Sequence, residues 1–131
     1  MSTLSVASQT ANSGEESLEI FRLRLQAIAA SGVENPFPAF KLIILDYNMP
    51  GMNGPETASE IHRLFQRFQA ANPLTTPLKM PHLCCLTASS GKKFRDKALG
   101  AGIDDFCLKP LSIEHLKILL IKTRVFSVNI N

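Results

Sequence analysis

The segment KLIILDYNMPGMNG, at residues 41–54, constrains the fold of this chain more than any other part of the sequence. Six of its first nine residues are apolar, and its second half is rich in Asn, Pro and Gly. A short apolar run followed by turn-forming residues is typical of a strand that is covered on both faces of a parallel sheet. This run ends on Asp46. Because chemistry in open parallel sheets gathers at the carboxyl ends of the strands, Asp46 is a candidate site residue.

Four segments show the apolar spacing of amphipathic helices. Their predicted starts are the capping box Ser13-Gly14-Glu15-Glu16, Pro55, either Ser89 or Ser90, and Ser112. A Ser and a Glu three residues apart satisfy backbone donors that a new helix leaves open, and Pro fits the first helical turn. The first helix is predicted to end at Ser31-Gly32, since Gly accepts the left-handed conformation that often closes a helix.

Two further short apolar segments are predicted to form strands. They are HLCCLTA, which begins at His82, and DDFCLKP, which ends at Pro110. Strands that alternate with helices and are joined by short turns indicate a parallel sheet with helices on both faces. The predicted fold class is therefore α/β.

Composition excludes several classes of protein. The longest apolar runs are too short to span a bilayer, and the Met-Ser-Thr start does not resemble a signal peptide. The formal net charge is only +3, with one small basic cluster at residues 92–97, so nucleic-acid binding is not expected. The spacing of Cys84, Cys85 and Cys107 fits small buried hydrophobic residues better than a disulfide framework or a zinc site. These features predict a cytoplasmic chain, with the nucleus as the other compartment.

Three of the predicted strands end on reactive side chains. They are Asp46, Thr87 and Lys109. If the strands are neighbours, a carboxylate, a hydroxyl and an ammonium group meet at one edge of the sheet. That combination suits phosphoryl transfer onto Asp46, in which the carboxylate is the nucleophile, Lys109 neutralises the phosphoryl oxygens and Thr87 donates a hydrogen bond.

The motifs LDYNMPGMNG, LTA and GAGIDDFCLKP resemble those of response-regulator receiver domains from two-component phosphorelays. The resemblance covers about residues 4–124. It implies that Asp46 is the phosphoacceptor, that Asp46 and the backbone carbonyl of Asn48 help to hold Mg²⁺, and that Lys109 binds phosphate. Thr87 resembles the switch hydroxyl, and Phe106 resembles the aromatic residue that moves with it. The Lys109-Pro110 bond is usually cis in relatives, and Asn48 and Ser89 match positions that tune the lifetime of the phosphate.

The resemblance also implies a flavodoxin-like (CheY-like) sheet, but one with about four strands instead of five. Counterparts of the first strand and helix of the family, including its metal-binding acidic pair, are missing from this sequence, and LSVASQT matches the second strand. Asp104 and Asp105 cannot replace the acidic pair, because Asp105 lies about 13 Å along a strand from Lys109. We expect an N-terminally incomplete receiver domain over residues 1–124 and a tail over residues 125–131. Three alternatives remain open: a fragment of a longer protein such as a hybrid histidine kinase, direct pairing of LSVAS with KLIIL, or a partner that supplies a strand.

The leading functional hypothesis is a signalling receiver that accepts phosphate on Asp46 from a histidine kinase or histidine phosphotransfer protein. The alternative is a phosphorylation-incompetent interaction module, since the acidic pair is absent. Neither hypothesis describes an enzyme. A dehalogenase-like phosphatase is disfavoured because such enzymes place a second acid two residues after the nucleophile, where this chain has Asn48.

Overall fold

The computed structural model describes residues 11–32, 40–49, 51–73, 78–88 and 91–123. Helices and strands alternate through these residues, as predicted. In chain order they are α1 (Gly14–Ser31), β1 (Leu42–Asp46), α2 (Gly54–Ala71), β2 (His82–Thr87), α3 (Lys92–Gly100), β3 (Asp105–Leu108) and α4 (Ile113–Lys122). The predicted strand LSVASQT and the predicted C-terminal tail lie outside the described residues.

The three described strands form one parallel sheet in the order β1-β2-β3. Asp46 of β1 pairs with Leu86 of β2, and Thr87 of β2 pairs with Leu108 of β3. The carboxyl ends of all three strands therefore lie on nearly the same line across the sheet. The α/β prediction is confirmed, and this register sets the positions of the candidate site residues.

The first helix begins as the sequence predicts. The Ser13 hydroxyl accepts a hydrogen bond from the backbone N–H of Glu16 at 3.0 Å. The return bond differs from an ideal capping box, because the Glu16 carboxylate accepts from the backbone N–H of Asn12 at 3.0 Å rather than from Ser13. Gly32 closes the helix at a φ of 69°, which is the left-handed region that favours glycine.

The starts of the other helices confirm one predicted cap and correct another. The Ser112 side chain caps α4 by accepting from the backbone N–H of His115. For α3, the prediction of Ser89 or Ser90 as the cap is wrong. The helix begins only at Lys92, so Gly91 holds the N-cap position, in an extended conformation. Glycine provides no side-chain hydrogen bond to the helix.

Two apolar clusters occupy the two faces of the sheet. The larger one joins α1, α2 and α3 to the sheet, and its fully buried members include Phe21, Ile61 and Leu83. The smaller one lies under α4 and includes Cys84, Cys107 and Leu119. Successive residues of β2 alternate between these clusters, which is the period of a strand. The prediction of helices on both faces is thus confirmed. None of the described helices is long and apolar enough to cross a membrane.

The three cysteines pack as small buried side chains. Cys84 and Cys107 place their sulfur atoms 3.0 Å apart under α4, and the Cys107 sulfur lies 3.4 Å from Nε2 of His115. Burial is the main reason that the pKa of Cys85 is raised to about 11, and the negative charge of nearby Asp46 adds to this shift. Burial also raises the pKa of Cys84, with the Cys107 thiol adding to the shift. The thiolates of Cys84 and Cys85 are therefore scarce in the folded chain near neutral pH.

We expect the cysteines of the folded chain to react far more slowly than free thiols with an aromatic disulfide reagent. A pKa of about 11 lowers the thiolate fraction of Cys85 roughly 100-fold relative to the ordinary value of 9.0, and burial adds to the protection. The measurement compares the rate of chromophore release in buffer and in urea, where all three thiols should react quickly. A fast native phase of one equivalent or more would contradict this prediction.

A charged cluster lies at the opposite edge of the sheet from Asp46. Asp105 accepts hydrogen bonds from Nε2 of His82 at 2.5 Å and from Nζ of Lys122 at 2.8 Å. Asp104 accepts from the backbone N–H of Leu83 at 2.8 Å. Burial raises the pKa of Asp105, but the bonds from Lys122 and His82 outweigh burial and leave this pKa below its ordinary value. The two acids therefore hold β2, β3 and α4 together and lie away from the candidate site, as the sequence predicted.

Replacing Asp105 with asparagine is expected to lower the free energy of unfolding by about 1–2 kcal/mol at pH 7, because the charged acceptor of two hydrogen bonds is lost. Because folding lowers the pKa of Asp105, its carboxylate stabilises the fold at pH values above the ordinary aspartate pKa of 3.8. This contribution is lost as the pH falls through the lower pKa of the folded chain. Urea melts of both chains at several pH values should therefore converge in acid. Asp96→Asn, at an exposed position on α3, is the control. Equal stability of the wild-type and Asp105→Asn chains at pH 7 would disprove the contribution.

Candidate functional site

The candidate site is built around an ion pair between two strand ends. Nζ of Lys109 lies 2.6 Å from Oδ2 of Asp46. The two side chains are 39% and 38% exposed, so the pair is open to an incoming molecule. Asp46 ends β1 and Lys109 follows β3, which are not neighbours in the sheet. The lysine side chain therefore crosses the end of β2 to reach the carboxylate.

The position of Lys109 is fixed by its own backbone. Its N–H donates to the carbonyl of Thr87 at 3.0 Å, which extends the β2–β3 ladder by one residue. The peptide bond between Lys109 and Pro110 is cis. The hydrogen bond to Thr87 holds the lysine directly beside the last residue of the central strand.

Thr87 and Phe106 lie on β2 and β3 and are less exposed than the two side chains of the ion pair. Thr87 is the last residue of β2 and is only 4% exposed. Phe106 is half-buried and packs against the larger apolar cluster, on the face of the sheet that α2 and α3 cover. The structure places both residues on the strands next to the ion pair. Their switching roles remain predictions.

The loop that follows Asp46 is anchored at both of its ends. The N–H of Tyr47 donates to the carbonyl of Leu86 at 2.8 Å, and the N–H of Gly54 donates to the carbonyl of Tyr47 at 3.0 Å. A Cβ atom on Gly54 would lie 2.8 Å from the carbonyl oxygen of Asp46, so only glycine fits there. At the end of the loop, Asn53 caps α2 by accepting from the N–H of Glu56 at 2.8 Å. The start of α2 is therefore packed against the backbone of the candidate nucleophile.

The two oxygens of Asp46 have different surroundings. Oδ2 accepts the short bond from Lys109, whereas Oδ1 accepts only a 3.3 Å bond from the backbone N–H of Asn48. Oδ1 is therefore the less engaged of the two oxygens. Asn48 itself is exposed, beside the carboxylate.

Sequence reasoning assigned no role at this site to Glu15. Its Oε1 accepts a hydrogen bond from the backbone N–H of Met52 at 3.1 Å, which joins the start of α1 to the loop after Asp46. The capping-box pattern predicted only the helix start. That Glu15 faces another loop depends on how α1 packs against α2, and no local motif carries that information.

Few of the described residues are suited to hold a metal ion. No group of three or more His, Cys, Asp or Glu side chains gathers in a metal-binding arrangement within the parts of the chain described above. The oxygen donors that the sequence predicts for an ion are the carboxylate of Asp46 and the backbone carbonyl of Asn48. These are ligands that Mg²⁺ accepts, and Mg²⁺ commonly keeps several waters and takes further oxygens from a substrate phosphate.

A parallel sheet between helices, with an exposed aspartate and a lysine at its carboxyl edge, makes this an α/β protein with its candidate site at the strand ends. Comparison with protein families specifies the class further. Residues 6–121 match the model of the response regulator receiver domain. The chain belongs to this family, whose members are signalling modules of two-component systems.

Relatives with this domain include much larger proteins. The chain is 34% identical over 88 residues to hybrid signal transduction histidine kinase B of Dictyostelium discoideum, covering 64% of this chain and 4% of the kinase. It is 31% identical over 133 residues to the response regulator mcs4 of Schizosaccharomyces pombe, covering 89% of this chain and 23% of that protein. The chain therefore spans less than a quarter of either relative.

Solved structures support the fold. The receiver domain of the histidine kinase CKI1 from Arabidopsis thaliana, complexed with Mg²⁺, superposes with a TM-score of 0.65 at 23% identity and covers 83% of this chain and 69% of that one. The chemotaxis protein CheY4 of Vibrio cholerae superposes with a TM-score of 0.57 at 23% identity, over 88% and 75% of the two chains. The flavodoxin-like prediction is confirmed.

Proposed function

We propose that this chain is a receiver that accepts a phosphoryl group on Asp46 from a phosphohistidine. The observation that carries this proposal is the exposed ion pair, in which Nζ of Lys109 lies 2.6 Å from Oδ2 of Asp46. A carboxylate that sits beside a cation at the open edge of a parallel sheet can receive an anionic group without leaving its charge unbalanced. Membership of the receiver family supports the same reaction.

In the proposed step, Oδ1 of Asp46 attacks phosphorus. A new oxygen–phosphorus bond forms, the phosphorus–nitrogen bond of the phosphohistidine breaks, and the imidazole leaves with the electron pair of that bond. Oδ1 is the proposed nucleophile because its only described hydrogen bond is the long one from Asn48. The product is an acyl phosphate, which is the usual result of nucleophilic attack by a carboxylate.

Two neighbouring residues would stabilise the transferred group. We propose that Lys109 moves its ammonium group from Oδ2 of Asp46 onto the phosphoryl oxygens, and its present contact with Oδ2 supports this role. Thr87 ends the central strand beside Asp46, and we propose that its hydroxyl donates to a phosphoryl oxygen. Movement of Thr87 would then give Phe106 room to change its packing, which is the proposed switch.

Mg²⁺ is the proposed cofactor, held by the carboxylate of Asp46 and the backbone carbonyl of Asn48. When bound, the ion would withdraw charge from the phosphoryl oxygens. No group of three or more acidic, His or Cys side chains gathers among the described residues, so the affinity of the chain for Mg²⁺ without phosphate is expected to be low. Mg²⁺ is present in the complexed CKI1 receiver structure, and this likeness supports the choice of ion.

The proposed partners are a histidine kinase or a histidine phosphotransfer protein, since both carry phosphohistidine. The hybrid histidine kinase among the relatives supports this class of partner. The proposed domain covers residues 1–124, with a tail at residues 125–131, and the family match ends at residue 121. We propose the cytoplasm, or the nucleus, as the compartment, because three buried free thiols suit a reducing environment.

The deciding experiment incubates the wild-type chain with a radiolabelled phosphohistidine donor protein and Mg²⁺. We expect the label to move to the chain, to be released by hydroxylamine as an acyl phosphate, and to map to the peptide that contains Asp46. Omission of Mg²⁺ should slow the transfer. A folded chain that takes no label would contradict the proposal and favour the alternative of an interaction module that is not phosphorylated.

A further inference from the structure

We propose that Glu15 is a positioning residue for the loop that carries Asp46 and Asn48. This inference rests on the proposed function, since it concerns the rate at which Asp46 accepts phosphate. The role is assigned by the hydrogen bond between Oε1 of Glu15 and the backbone N–H of Met52, at 3.1 Å. The two residues lie 37 positions apart, so the bond links separate parts of the fold.

The loop is built to receive this carboxylate. Gly51 adopts a φ of +77°, in the left-handed region where residues with side chains are strained. A Cβ atom on Gly51 would also lie 3.0 Å from Oε1 and 3.6 Å from Cδ of Glu15. Glycine at this position thus serves both the turn of the loop and the close approach of the carboxylate.

Close packing fixes the backbone from which Glu15 projects. Gly14 is buried, and a Cβ atom on it would overlap the hydroxyl of Thr57 in the first turn of α2. Thr57 is fully buried, and its hydroxyl donates to the carbonyl of Asn53 at 2.7 Å. Glu15 is exposed, but it extends from a helix turn that cannot shift without disturbing this contact. The Glu15 carboxylate can therefore hold the backbone N–H of Met52 in a fixed position.

The middle of the loop packs against the first turn of α1, since a Cβ atom on Gly14 would lie 3.1 Å from the carbonyl oxygen of Met52, but few hydrogen bonds hold it. Among the described residues between Tyr47 and Asn53, Met52 alone forms a hydrogen bond to an element outside the loop, and its acceptor is Glu15. The N–H of Asn48 bonds only locally, to Asp46. Loss of the Glu15 carboxylate should therefore let this segment move, and Asn48 and the Asp46 side chain would spend less time in the productive geometry.

The test compares Glu15→Ala, Glu15→Gln and Glu19→Ala with the wild-type chain. Glu15→Gln keeps an oxygen acceptor at the same position. Glu19→Ala removes one negative charge from the same helix, but Glu19 bonds to Arg22 instead of the loop. Phosphoramidate serves as the donor, because its phosphorus–nitrogen bond has the chemistry of phosphohistidine without a protein surface. Intact-mass spectrometry gives the rate of phosphorylation against donor concentration, and amide exchange by NMR follows Met52 directly.

We expect Glu15→Ala to lower the limiting rate about three- to tenfold, with an unchanged half-saturation concentration and faster exchange of the Met52 amide. Glu15→Gln should bring the limiting rate and the exchange rate of the Met52 amide most of the way back to the wild-type values. Glu19→Ala should match the wild type in both rates. If Glu15→Ala exchanges faster at Met52 but is phosphorylated at the wild-type rate, or if exchange at Met52 does not change, the positioning role is overturned. A wild-type chain that is not phosphorylated overturns the proposed function, and the positioning role with it.

Discussion

Replacing Asp46 with asparagine is expected to abolish phosphoryl acceptance while leaving the chain folded. The amide is nearly the same size as the carboxylate but is not a nucleophile toward phosphorus, so no acyl phosphate can form at this position. The fold should tolerate the change, because the ion pair with Lys109 is about two-fifths exposed and such pairs contribute roughly 0–1 kcal/mol.

The measurement is transfer of radiolabel from a phosphohistidine donor protein, with circular dichroism to verify the fold. Asp96→Asn is the matched control, because Asp96 is an exposed aspartate on α3. The Asp96→Asn chain should accept as much label as the wild type. Hydroxylamine-sensitive label on the Asp46→Asn chain would show that another residue is the phosphoacceptor. In that case the exposed ion pair would have a structural role alone.

Replacing Leu83 with alanine is expected to lower the free energy of unfolding by about 2–5 kcal/mol, more than Asp105→Asn or Leu23→Ala. Leu83 is fully buried in the central strand and belongs to the larger apolar cluster between the sheet and the helices. Its removal leaves a cavity that β2 cannot close by moving, because this strand is paired with β1 and β3 on its two sides. A loss of this size is a large share of the roughly 5–15 kcal/mol that stabilises a typical domain.

Urea denaturation measures this change as a lower midpoint with a nearly constant slope. Leu23→Ala is the control, since Leu23 on α1 is 51% exposed and its replacement should change stability by no more than about 0.5 kcal/mol. If both variants melt at the wild-type midpoint, Leu83 does not lie in a packed core and the assigned face of β2 is wrong.

The sequence predicted the order of helices and strands because that order depends on local patterns. Apolar spacing and the caps at Ser13 and Ser112 are readable within one turn of each helix. The start of α3 was predicted too early. Serine is the stronger capping residue, but here the chain turns into the helix at Gly91, which local preference alone does not reveal.

The candidate site was predictable for a different reason. Asp46, Thr87 and Lys109 each end or follow a strand, and parallel strands bring such positions to one edge whatever their separation in sequence. Contacts that depend on helix packing were not predictable in this way. The bond from Glu15 to Met52 and the cluster of His82, Asp105 and Lys122 require the docking of α1 on α2 and of α4 on the sheet.

Lys109 has a consequence for how a signal could travel through this domain. Its backbone is bonded to β2 and its side chain to the end of β1, so one residue ties together strands that share no ladder of their own. If Asp46 is phosphorylated as we propose, the phosphate would lie between its carboxylate and the Lys109 ammonium group and increase the distance between them. The added length has to be absorbed by the lysine chain or by the peptide that leads through Pro110 into α4. Phosphorylation at the end of β1 would thereby displace the backbone that connects β3 to α4.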